Sequence, residues 1–215
     1  MTIMKRKMFL LTLFLLCSLF IRAQYKEEML KTIAQIEQAE NQQTLIAIAN
    51  KFDRISMINQ EEWLPHYYAS YVYAKMSYLS EKDDEKDSFL EKSQSEYDKA
   101  QKHKNAENDE LLILQAYILQ AKFSVNYMSR LSLNTEALNI LMEVNKKYPS
   151  NPRAYLLLGI ATYKMPVFIG GSTKKAQVLF EKANEKFVAF KPKNELYPNW
   201  GQELNDTWLK RCLEK

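Results

Sequence analysis

"NPRAYLLLGIATYKMPVFIGGSTKKAQVLFEKA", residues Asn151 to Ala183, decides the fold of this chain. Tyr155, Leu158, Gly159 and Thr162 recur at helical spacing, and so do Ala176, Phe180 and Ala183 after a break. Small residues at Gly159, Ala176 and Ala183 let two helices approach closely, while Tyr155, Leu158 and Phe180 fill the space between them. The break holds Gly170 and Gly171, half of the chain's 4 glycines. A phosphate loop needs the order G-x-x-x-x-G-K-[ST] behind a strand, and "GGSTKKAQ" has a different order between helical flanks. The glycine pair therefore reads as positive-φ backbone at a turn. Ser172 or Thr173 then caps the second helix, and Val167, Phe168 and Ile169 are expected to tuck over the end of the hairpin.

Working outward, the second-helix spacing returns three more times. It appears as Ala137, Leu141 and Val144, as Ser93, Tyr97 and Ala100, and as Leu45, Ala49 and Phe52. Val144 precedes Tyr155 by 11 residues, and Phe52 precedes Trp63 by the same 11. These residues resemble the tetratricopeptide repeat family, whose signature is W-x2-L-G-x2-Y followed by A-x3-F. Tyr155 stands at the tryptophan position and Thr162 at the second aromatic. The resemblance implies an all-α solenoid of stacked antiparallel hairpins, of the kind found in secreted Gram-negative repeat proteins. Successive signatures lie 48, 44 and 39 residues apart, against about 34 for the standard repeat. The surplus is expected as enlarged turns within the units, at "SEKDDEKDS", "NYMSRLSLN" and "MPVFIGGST". The units fall at about 24–58, 59–104, 105–149 and 150–190. Residues 191–215 form a capping segment in which Trp200 and Trp208 cover the end of the last hairpin.

The N-terminus reads as an address. Lys5, Arg6 and Lys7 precede a 14-residue apolar run, Met8 to Ile21, and Ala23 offers a cleavage point. The run is shorter than the roughly 20 residues that cross a bilayer. Leu16 before Cys17 is too large for a lipidation signal. Residues 1–23 are thus expected to be removed on export to the periplasm or exterior, leaving 24–215 as one repeat domain. The segment holds four of the 30 basic residues and none of the 26 acidic ones, so the mature chain is formally neutral. Neutrality argues against a nucleic-acid footprint. From Met29 onward, Leu30, Ile33 and Ile36 make one apolar stripe, and Leu45, Ile48, Phe52 and Ile55 another, with Glu40-Asn41 as a break and N-cap.

Catalytic machinery is not legible. "EKDDEKD", residues 81–87, lacks the ligand spacing and central glycine of a calcium loop and reads as a solvated turn. His66 and His103 are 37 apart, without the i, i+4 pairing of a zinc helix. Cys212 reads as a small apolar residue on a terminal helix, and no nucleophile elbow is present. We expect no enzyme, cofactor or metal.

The candidate working surface is "EWLPHYYASYVYAKMSYLS". Trp63, Tyr67, Tyr71 and Tyr78 can line a groove formed by the first helices of the units, while Tyr68 and Tyr73 point elsewhere. They can equally be core residues whose hydroxyls reach the edge. The groove reading predicts a binding module for another envelope protein or an extended peptide. An apolar turn ending in Gly-Gly also resembles the repeat component of TRAP-type solute uptake, which implies a small ligand in a closed pocket. A self-assembling envelope scaffold is the third reading.

Overall fold

The computed structural model describes residues 22–214, and among them every regular element is helical. Nearly all of the expected signal peptide, 1–21, lies outside the described residues. Helix α1 covers 22–38, followed by α2 Gln42–Ile58, α3 Leu64–Leu79, α4 Asp83–Gln101 and α5 Asn108–Val125. Then come α6 Leu131–Lys147, α7 Pro152–Lys164, α8 Thr173–Ala189 and α9 Gln202–Leu213.

The helices stack as antiparallel pairs. α3 packs on α4, α5 on α6 and α7 on α8, and among the first members α3 touches α5 and α5 touches α7. A helix hydrophobic along one stripe must bury it, and successive pairs share one core. Leu45, Ile48, Ala49 and Phe52 of α2 are buried, as are Ala137, Leu141 and Val144 of α6 and Ala176, Phe180 and Ala183 of α8. Gly159 lets α7 approach α8 closely: a Cβ there would lie 2.5 Å from the Phe180 ring. Helix starts follow capping chemistry. Asn41 accepts from the Thr44 amide at 2.9 Å, Asn151 from the Arg153 amide at 3.1 Å, and Ser172 from the Lys175 amide at 3.2 Å.

The surplus residues divide between turn and helix. Residues 80–82 and 126–130 make short turns, and 165–172 a longer one. The acidic run expected as a solvated turn is instead mostly helical, because Asp83, Asp84 and Glu85 fill the first turn of α4, where the helix dipole favours negative charge. The glycine pair also divides. Gly170 alone has positive φ, 104°. Gly171 is required for close approach, since a Cβ there would sit 1.7 Å from the Met165 carbonyl oxygen. The expected tuck is not found for Val167 and Phe168, and the side chain of Ile169 lies outside what is described. Val167 and Phe168 are 83% and 88% exposed, because the turn closes on itself through Gly170 N–H to Val167 O and Gly171 N–H to Pro166 O.

The C-terminal segment departs furthest from expectation. It does more than close the last pair: it runs back across α3 and α5. Tyr68 donates to the Leu196 carbonyl at 2.9 Å, Tyr197 to Asp109 at 3.3 Å, and Lys193 pairs with Glu107. Gly201, at φ 110°, then turns the chain into α9. Asn205 of α9 donates to the Phe180 carbonyl at 3.0 Å, and Cys212 is buried behind it. No described helix is long and apolar enough to cross a membrane.

Candidate functional site

The returning segment and α9 border a half-open cavity of about 630 Å3 against α1, α3, α5 and α7. Its floor is aromatic and buried. Trp200 stacks on Tyr71 with ring centroids 4.6 Å apart and planes 20° from parallel. Tyr117 lies 5.6 Å from both Trp200 and Tyr71. Tyr78, also 5.6 Å from Tyr117, carries this surface to the mouth, where Leu79, Lys164 and Arg211 reach solvent. Trp208 of α9 also lines the cavity, backed by Tyr163 at 5.2 Å and Phe180 at 6.3 Å.

A polar network behind the floor fixes the Trp200 indole. Its Nε1–H donates to Tyr67 Oη at 2.9 Å, and Tyr67 donates in turn to Glu110 Oε2 at 3.4 Å. Glu110 Oε1 accepts from Asn151 at 2.8 Å and from the Arg153 guanidinium. Glu110 and Arg153 are both fully buried. Burial pushes the Glu110 carboxyl upward while Arg153 opposes that shift. The guanidinium carbon lies 4.8 Å from the Phe190 ring centre and 5.8 Å from that of Trp200. Arg153 Nε and Nη1 have no hydrogen-bond partner among the described residues. A buried ion pair of this kind is held by its geometry, and here it sets the plane of one cavity wall.

The cavity is chemically uneven. Burial pushes the phenols of Tyr71, Tyr78 and Tyr117 upward, and each pairs an apolar ring with a hydroxyl at the edge. At one end Lys75 donates to the Ile36 carbonyl at 2.9 Å. Burial lowers its pKa, against the carboxylates of Glu37 and Glu203. At the other end Lys164 lies 5.5 Å from the ring centres of both Tyr78 and Trp208, and Arg211 lies 4.6 Å from Trp208. Lys164 is lowered by burial and then by Arg211.

Of the four residues proposed for a groove, the structure places Tyr71 and Tyr78 on the cavity wall. Tyr67 sits one layer behind as the partner of Trp200, and Trp63 packs edge-on against Tyr67 at 5.5 Å. Trp200, expected to cover the last hairpin, lies beside Arg153 of α7 but also packs across Tyr67 and Tyr71 of α3 and Tyr117 of α5. Tyr117, Lys164 and Arg211 carried no signal in the sequence, since each is a single residue in an ordinary helix. His66 pairs with Glu96 at 2.7 Å away from the cavity, and its ring lies 5.9 Å from that of His103. No group of three or more potential metal ligands occurs among the described residues.

No family model and no curated protein sequence matches the chain, so the tetratricopeptide resemblance rests on residue spacing and helical pairing. Among solved structures, the chain is similar to the HusA haemophore from Porphyromonas gingivalis. The TM-score is 0.75 and the identity 24%, over 87% of this chain and 92% of the other. At that identity the likeness shows the fold.

Proposed function

We propose that the chain is an exported, non-enzymatic binding protein that takes a planar aromatic ligand of the porphyrin class into the cavity between α3, α5, α7 and α9. The observation that carries this reading is the aromatic lining, the cluster Tyr71–Trp200–Tyr117 together with Tyr78 and Trp208, around a space of about 630 Å3. That volume is typical of a small-molecule site, and such sites are lined by apolar and aromatic groups with a few polar ones for orientation. Aromatic faces hold a flat π-system by offset stacking. The similar solved structure is a haemophore, a name that denotes the same class of cargo. The extended-peptide reading is less favoured, because the chain's own residues 194–200 lie across the α3–α5 face where such a peptide would lie.

Titration of the protein with haem and with iron-free protoporphyrin IX, followed by absorbance and tryptophan fluorescence, tests this. One saturable site for both compounds is expected, with quenching of Trp200 and Trp208, since the walls grip the ring rather than the metal. Absence of saturable change with either compound would refute the reading.

A further inference from the structure

We infer that Lys164 and Arg211 form an anion subsite at the cavity mouth, which takes a carboxylate on the rim of the ligand and so fixes which edge of the ring faces outward. The inference rests on the porphyrin-class reading above and adds its polarity.

The two cations converge on one indole. Arg211 Cζ and Lys164 Nζ lie 4.6 and 5.5 Å from the Trp208 ring centre, and Lys164 is equally close to Tyr78. Neither has a carboxylate within ion-pair distance among the described residues. Two like charges near one ring repel each other, and the ring faces offset only part of that cost. The carboxylates lining the cavity, Glu37 and Glu203, act on Lys75 at the other end. The cavity thus has one end whose charge is compensated from within the protein and one end whose charge is not. A carboxylate entering between Lys164 and Arg211 accepts charge-assisted hydrogen bonds from both, relieves their repulsion, and leaves its aromatic body against Tyr78 and Trp208. The depression of the Lys164 pKa by burial and by Arg211 agrees with an ammonium lacking its counter-ion. A free acid and its ester share the same ring and differ in this contact alone, so the pair isolates the subsite.

The test compares protoporphyrin IX with its dimethyl ester, on the full mature chain and on the K164M/R211M variant, by fluorescence titration. Helix content is checked by circular dichroism. The native chain is expected to bind the acid about tenfold more tightly than the ester, the preference shrinking with added salt. The double variant is expected to bind acid and ester equally, and K164R/R211K to retain the preference. Equal native affinities for acid and ester would overturn the subsite while leaving the cavity reading intact. Equal loss of both ligands in K164M/R211M would likewise overturn it, as general damage to the wall. Binding of neither compound by the native chain would overturn both the cavity reading and the subsite built on it.

Discussion

The molecule sets a cation against a tryptophan in two places, and they differ in one respect. At Trp200 the cation is Arg153, wholly buried and joined to Glu110, with Asn151 and Tyr67 completing the carboxylate's hydrogen bonds. At Trp208 the cations are Lys164 and Arg211, exposed and without a carboxylate partner among the described residues. The first arrangement is closed within the protein and so holds a wall in place. The second is open and so can receive a ligand group. The same pair of side-chain types gives scaffold or site according to where the counter-charge comes from.

The contrast is broken most severely by removing Arg153. The R153M variant leaves the Glu110 charge buried without its partner, and denaturant unfolding should show a loss of about 3–5 kcal/mol. The paired change E110L/R153M should recover most of it, because a well-packed apolar pair replaces a buried ion pair at little cost. If R153M proved as mild as R211M, the two sites would not differ as described. Next in size is Gly159→Ala, whose Cβ would meet the Phe180 ring at 2.5 Å. Moving Phe180 moves Trp208, stacked on it. We expect about 1–3 kcal/mol of destabilisation from overpacking, with weaker porphyrin binding in the same variant.

Smaller still is the stability effect at the open site. R211M and K164M, alone or together, should shift unfolding by less than about 0.5 kcal/mol, while altering ligand preference. The smallest effect concerns Asp87, whose carboxyl Arg130 holds below its ordinary value of 3.8 through hydrogen bonds of 2.6 and 2.7 Å. A depressed folded pKa contributes stability above the ordinary carboxylate range and loses it as pH falls through the folded value. The native chain should therefore exceed R130M in urea midpoint at about pH 6 and converge with it at about pH 2, the gap being modest because the pair is partly exposed.

How much of this was legible depends on distance along the chain. Helical pairing is written locally: Ala176, Phe180 and Ala183 define their face within two turns, and Asn41 and Ser172 announce their helices by capping chemistry. Tyr71 and Tyr78 stood out because seven residues return a helix to nearly the same side. The other walls could not be read this way. Trp200 meets Tyr67 across 133 residues and Leu196 meets Tyr68 across 128, contacts that periodicity does not encode. The C-terminal tryptophans were visible as apolar cover, but which surface they cover follows from the Gly201 turn, whose positive φ a sequence does not display. The exposed tip at Val167 and Phe168 misled for a related reason: apolar residues imply burial on average, and hydrogen bonds closing a short turn can outweigh that preference.

The three tryptophans of the chain supply the most direct measurement, since each occupies a different environment. Their indole N–H resonances, followed by two-dimensional NMR during addition of iron-free protoporphyrin IX, report where the ring sits. The account predicts saturable shifts at Trp208 and Trp200 and a near-constant Trp63, which packs against Tyr67 away from the cavity. Shifts dominated by Trp63, or no saturable shift at any of the three, would contradict it.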